Sequence, residues 1–509
     1  MYNKNQYADM IKKKVVLCVL LVAAVCGTSA YASKNDSKKK GYKFTVEINN
    51  ASDSVIYLGQ YYNKNQYAID TAFINKKGQF IFEKKDKELK PGLYFITNNK
   101  NKLAEFTINK EPLNYKFCTD DANWTLHMEI KGSKDNEKFM DYQQIRRDMN
   151  MAMEEARQKY SDEEFKSYRR EQGRKLDSIN KAFVAQDPTH ILSIIMSATK
   201  EIDVPVVDSL GDSLSQREQY EYYATHYFDN MALDNEAILR TPAYVFYERV
   251  ERYFDQVVNG ATPETICKYA DMLLEKARPA KDVFKYLVLY IAEKYLQTNI
   301  MSYDAIYVHM IEKYYMTGDA FWASPSDIDF ETKRAMTWKK LLIGEKAPEL
   351  ILKNQEGEWH SFYEVPNKYT LLIFWAPSCG HCATIIPALY NFYKEYKDVY
   401  DIGAYAINTD IGPEEVEKWK KYVQDKGLDW DNYNGGEANV DWHEVYDIIS
   451  TPVIYLLDQD KKIIGKKLDA DILKKLFAIL EPEKTKIANE QKAAQTTTIE
   501  TPDETKENK

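Results

Sequence analysis

Cys379-Gly380-His381-Cys382 places two cysteines with two residues between them, a spacing that lets two sulfurs act on one substrate bond. A thiolate at the first position can attack a disulfide, and the second, one helical turn away, can release what the first has captured. Tyr369 to Trp375, seven residues followed by Ala376, form a continuous apolar run that reads as a buried strand, and Cys379 opens the helix that follows. At a helix start, unpaired backbone N–H groups and the helix dipole favour a negative charge, so the Cys379 thiolate is favoured. His381 can add a positive charge or a hydrogen bond there. With Gly380 it tunes where the pair falls within the range of such motifs, pKa about 3.5 to 7 and roughly -270 to -120 mV, and it argues for the more oxidising part.

The same sulfurs could form a structural disulfide or half of a zinc site. A four-ligand site needs a second Cys or His pair, and none stands at metal-ligand spacing in the sequence, so neither metal nor other cofactor is expected. Cys118 and Cys267 read as buried free thiols, with a bridge between them as the alternative. Glu414, Glu415 and Glu417 follow Pro413 at a helix start, where acids complement the dipole, and read as a solvated face. His360 and His443 have no sequence partner that would make them ligands or bases.

Elements that must hold the motif follow from the rest of the chain. Its 509 residues exceed what a single core supports, and three folded parts are expected. Residues 42–130 alternate in short β-rich runs separated by turns such as Asn75-Lys76-Lys77-Gly78 and Pro91-Gly92, predicting an antiparallel β domain arranged as a sandwich. Residues 131–342 carry apolar residues three and four apart, predicting a helical domain whose longest stretch runs from Glu137 to Ala185. Residues 343–482 alternate strands with helices, predicting an α/β domain. Residues 483–509 are polar and read as a disordered tail.

At the N-terminus, Lys12, Lys13 and Lys14 precede an apolar run from Val15 to Val25 and an Ala30-Tyr31-Ala32 pattern, so residues 1–32 read as a secretory signal peptide cut after Ala32. Acylation of Cys26 is the competing reading. The run is shorter than the roughly 20 residues of a spanning helix, and no later segment qualifies. A net charge of -9 offers no large basic field for nucleic acid. Export to the periplasm or cell envelope is expected, where thiols can oxidise.

The motif and its surroundings resemble the active site of thioredoxin-fold proteins, and more narrowly the exported TlpA/ResA-like disulfide reductases. The matching residues are Gly344-Glu345-Lys346-Ala347-Pro348, Phe374-Trp375-Ala376, Pro387 and Thr451-Pro452. The resemblance covers roughly Gly344 to Leu480 and implies a thioredoxin-like domain acting as a thiol-disulfide oxidoreductase. It implies a cis-proline at Pro452, whose loop with Thr451 docks the substrate. Trp375 is read beside them as a docking residue that shapes the wall of the site. Exported protein thiols or disulfides would be the substrates, with an unidentified redox partner. Two positions depart from the pattern: Ile373 and Ile385 stand where relatives carry carboxylates that assist proton transfer. Two other readings of the chain are an envelope binding or scaffold protein that uses the fold for docking, and a thiol peroxidase; Ala376 stands where peroxiredoxins have a threonine.

Overall fold

The computed structural model describes residues 41–98, 102–120, 124 and 127–499. The segment read as a signal peptide, Cys26 and residues 500–509 lie outside them.

Alternating side chains between Tyr42 and Lys131 build eight strands: β1 (Tyr42–Asn49), β2 (Val55–Tyr62), β3 (Asn65–Phe73), β4 (Gln79–Lys84), β5 (Gly92–Thr97), β6 (Lys102–Ile108), β7 (Asn114–Asp120) and β8 (Glu129–Lys131). They form two four-stranded sheets, ordered β4-β1-β7-β8 and β3-β2-β5-β6. Phe44, Val46, Ile56, Leu58, Ile96, Phe106 and Phe117 share one buried core, which makes the domain a sandwich. The ladders are antiparallel except that β1 and β7 pair in parallel. The chain leaves the first sheet for the second and returns in the direction of β1 rather than by a hairpin, which is where the purely antiparallel expectation fails.

The middle region holds α1 (Lys134–Lys159), α2 (Asp162–Gln186), α3 (Ile191–Ala198), α4 (Gln216–His226), α5 (Tyr247–Arg252), α6 (Pro263–Ala277), α7 (Lys281–Leu296), α8 (Asp304–Met310) and α9 (Pro325–Lys339). The stretch expected to run from Glu137 to Ala185 is broken: Ser161 and Glu164 form a capping box that starts α2 afresh. Tyr61, Leu93 and Phe95 of the sandwich join the helical core. β5 is consequently covered on both faces, by the opposite sheet and by helices, and its near-continuous apolar sequence reflects that.

The C-terminal region contains β9 (Ile351–Asn354), β10 (Trp359–Ser361), β11 (Tyr369–Trp375), α10 (Cys382–Tyr400), β12 (Ile402–Asn408), α11 (Pro413–Lys426), β13 (Asp431–Ala438), α12 (Trp442–Val445), β14 (Val453–Leu457), β15 (Ile463–Lys466), α13 (Ala470–Leu480) and α14 (Pro482–Ile499). The seven strands are ordered β10-β9-β13-β12-β11-β14-β15, with β11 parallel to β12 and antiparallel to β14. Every residue of β11 is buried. Leu371, Ile373 and Trp375 pack on one face with α10 and α13, and Leu372 and Phe374 on the other with Trp442 and Tyr446. A strand sealed on both faces is a fixed platform for the residues after it.

α14 lies where a disordered tail was expected. Thr485 and Tyr400 hydrogen-bond through their hydroxyls at 2.9 Å, and Ala488 packs against the core beside α10. Tertiary contacts supply what a largely polar sequence does not.

Candidate active site

β11 delivers the chain at Trp375 to a turn, and α10 begins at Cys382 with His381 as its N-cap residue. Cys379 thus precedes the regular helix, although its carbonyl accepts the first helical bond, from the Ala383 N–H at 3.2 Å. Both cysteines are free thiols. Cys379 is partly exposed, whereas Cys382 is 1% exposed within the core beneath α10. The Cys382 N–H donates to the Cys379 sulfur at 3.4 Å, and the Cys379 thiol donates to the Thr451 carbonyl at 3.1 Å. The Thr451–Pro452 peptide is cis.

These surroundings divide the two sulfurs. Burial pushes the Cys379 pKa upward, but the Thr451 hydroxyl, the Cys382 thiol and the backbone N–H groups of Cys382 and His381 outweigh it, and the pKa ends below the ordinary thiol value. For Cys382 burial prevails, and the thiol is pushed up to about 11. His381 acts on Cys379 through its backbone N–H; its ring is not among the main influences, and its side chain is exposed. Gly380 has open space where a Cβ would stand.

Trp375 is wholly buried and packs against Tyr422 at 5.4 Å between ring centroids. It therefore supports the site from within and offers no surface for docking. Its Nε1 has no hydrogen-bond partner. Ile373 is buried in the strand and Ile385 packs against the same core as Cys382, so neither position brings a carboxylate to the resolving sulfur.

Asp410 is a residue that sequence reasoning missed. Its carboxylate accepts from the Ser378 N–H at 3.1 Å and the Ser378 hydroxyl at 2.7 Å, while Asn408 donates to its carbonyl at 2.7 Å. The end of β12 thereby holds the residue before Cys379. Beside these contacts, Ile411 and Ile449 are 56% and 60% exposed, so both loops that reach the motif carry an uncovered apolar side chain. The signal in sequence was an Asn-Thr-Asp turn directly after a buried strand, which is where α/β sheets place ligand-contacting loops.

Residues 343–466 match the AhpC/TSA family, and residues 42–139 match a domain of unknown function (DUF4369). Among curated proteins, the chain is 28% identical over 141 residues to the thioredoxin-like protein YneN of Bacillus subtilis, covering 25% of this chain and 79% of that one. It is 28% identical over 128 residues to the thiol-disulfide oxidoreductase ResA of Bacillus thuringiensis, covering 25% and 69%. The C-terminal domain is a TlpA/ResA-like thioredoxin domain. A solved domain of a possible thiol-disulfide isomerase from Cytophaga hutchinsonii is 34% identical, with 28% of this chain and 94% of that one covered and a TM-score of 0.26. A thioredoxin-like protein from Bacteroides caccae is 18% identical, with 55% and 99% covered and a TM-score of 0.44. The match over residues 42–139 runs past β8 into α1. There the buried Asn136 accepts from the Thr107 N–H at 2.7 Å and donates to the Thr107 carbonyl at 2.8 Å, so the first turn of α1 completes the sandwich.

Elsewhere in the described residues, no three His, Cys, Asp or Glu side chains gather as a metal site, and no helix is long and apolar enough to cross a membrane. Cys118 is partly exposed on β7, with Glu47 accepting from its thiol at 3.8 Å, rather than buried as expected. Cys267 is buried, its thiol pushed up to about 12 by burial, and both are free, so the bridge between them is not formed. His360 lies 3.6 Å from the carboxylates of Glu358 and Glu364, and His443 stacks on Trp442. Glu415 and Glu417 pair with Lys418 and Lys420 along their own helix.

Proposed function

We propose that this protein exchanges thiols and disulfides on exported protein substrates through the Cys379-Gly380-His381-Cys382 motif. The Cys379 thiolate attacks one sulfur of a substrate disulfide; a mixed disulfide forms, and the departing substrate sulfur takes up a proton. Cys382 then loses its proton and attacks the Cys379 sulfur. The second substrate thiol leaves, and the enzyme is left with a Cys379–Cys382 disulfide. Two electrons have passed to the substrate, and a dithiol partner must return them; run backwards, the same steps oxidise a substrate dithiol.

The observation that carries this reading is the unequal pair: an accessible sulfur held acidic, 3.4 Å from the backbone N–H of a buried neighbour pushed up to about 11. A nucleophile must be ionised and reachable, whereas a resolving thiol that stays neutral until the mixed disulfide forms avoids competing for substrate. The contact of the Cys379 thiol with the Thr451 carbonyl supports a substrate-docking role for Thr451 and Pro452. Ile411 and Ile449 would favour an extended segment with apolar residues next to its cysteine. The lysine-led apolar leader supports export.

Cys379→Ser should abolish reduction of insulin disulfides by the full chain. Cys382→Ala should instead accumulate mixed disulfides with client proteins, seen as adducts that disappear on reduction. Insulin reduction at the wild-type rate by Cys379→Ser would end this proposal.

A further inference from the structure

Cys379 touches Thr451, and the turn that sends the chain toward Thr451 is gripped by the helical domain. That turn is at Asp447, whose φ of 48° lies in the left-handed region where few side chains but Asn and Asp are tolerated. Its Oδ2 accepts from the Trp338 indole N–H at 2.6 Å and lies 3.8 Å from Nε of Arg334, both residues being on α9. Trp338 is itself held: its ring packs on that of Tyr307 at 5.0 Å, and the Tyr307 hydroxyl donates to Glu331. Arg334 lies over the Phe330 ring at 4.7 Å. After Asp447, the Ile448 N–H donates to the His443 carbonyl at 3.1 Å and its side chain enters the core, so the turn is fixed at both ends. Three residues further on, Thr451 reaches the sulfur.

We propose that Trp338 and Asp447 are positioning residues for the redox site: the helical domain, by anchoring this turn, sets where Thr451 stands against Cys379 and so how reactive that sulfur is. The proposal rests on Cys379 being the attacking sulfur. The clamp from α9 makes the middle domain part of what positions the site rather than a tether. Other titratable groups about the sulfur are Cys382, His381 and, through Ser378, Asp410, all within the C-terminal domain. Facing Asp447 are Arg334 from α9 and Tyr455 from β14. None of these is changed by the substitutions below.

The test is the pH dependence of Cys379 alkylation by iodoacetamide in the reduced full chain, read by mass spectrometry of the Cys379 peptide. Trp338→Phe keeps the ring and removes the donor; Asp447→Ala removes the acceptor and provides a second route should the first variant fold poorly. Each should move the midpoint to higher pH and slow alkylation at neutral pH about threefold or more, since a tenfold change in thiolate accompanies each unit. Asp447→Asn, which can still accept from the indole, should recover much of the wild-type midpoint. Lys467→Ala loosens the same interface at its exposed bond to the Thr298 carbonyl and should leave the midpoint unchanged. Midpoints unaltered in folded Trp338→Phe and Asp447→Ala, or moved equally by Lys467→Ala, would overturn the proposal. Insulin reduction is a separate readout: if Cys379→Ser retains it, the functional reading fails whatever the alkylation midpoints do.

Discussion

Burial is the largest influence on both sulfurs of the motif and pushes both upward, so their difference rests on what else each one touches. Cys379 collects the Thr451 hydroxyl, the Cys382 thiol and two backbone N–H groups, and its anion is favoured; Cys382 has more burial and less compensation. The sign of the pH dependence follows. Raised acidity at Cys379 means its contribution to the reduced fold is present above the unfolded thiol range and is lost as pH falls through the folded value. At Cys382 the raised value means the neutral thiol is favoured, and that contribution is lost as pH rises toward about 11. With one thiol made more acidic and partly exposed and the other buried and pushed up to about 11, iodoacetamide should label Cys379 about tenfold or more faster than Cys382 at neutral pH in the reduced protein, read by mass spectrometry of the two peptides. Comparable rates would refute the division of labour. The motif was legible in sequence because its chemistry sits in adjacent residues behind a buried strand. Asp410 and the grip on the Asp447 turn were not, because Asp410 comes to Ser378, and Trp338 to Asp447, from distant parts of the chain. His381, expected to tune the pair, reaches the Cys379 sulfur through its backbone N–H.

At the scale of elements, strands with apolar runs such as β11 and β14 were visible in the sequence, because burial on both faces demands apolar residues at every position. β13 was not. Its sequence, Asp431-Asn432-Tyr433-Asn434-Gly435-Gly436-Glu437-Ala438, has no strand signature and becomes a strand by pairing with β12 and β9. One of its glycines is required by that pairing. A Cβ at Gly435 would stand 2.3 Å from the Asn408 carbonyl oxygen, whereas one at Gly436 would meet the flexible Asn434 side chain at 3.2 Å. Backbone cannot yield as a side-chain end can. The strain would fall on the end of β12, from which Asp410 holds Ser378. Gly435→Ala should lower stability by about 2 kcal/mol or more, and Gly436→Ala by much less, in urea unfolding followed by tryptophan fluorescence. Equal midpoints for the two variants would show that the approach of β13 to β12 is looser than described.

Across the whole molecule, the three-part organisation could be read from shifts of periodicity along the chain, but the surfaces joining the parts could not. Lys466, at the end of β15, and Asp304, at the start of α8, read in isolation as ordinary surface charges. In the folded chain their side chains are 10% and 6% exposed and form an ion pair, with the ammonium also donating to the Leu341 carbonyl at 2.7 Å. The other Asp304 oxygen has no partner. Desolvation of two charges makes such a pair a poor source of net stability, yet removal of one partner strands the other in a site that water does not reach. Lys466→Met should therefore destabilise the junction of the helical and thioredoxin-like domains by about 3 to 5 kcal/mol. Lys466→Met combined with Asp304→Leu should recover most of that loss, because an apolar pair of similar volume leaves no charge uncompensated. Urea unfolding of the full chain, with limited proteolysis between α9 and β9 as a second readout, measures both variants. A single variant as stable as wild type would mean that the junction admits water and that the pair is no part of what holds the domains together; a double variant no better than the single would place the cost in lost packing instead of stranded charge.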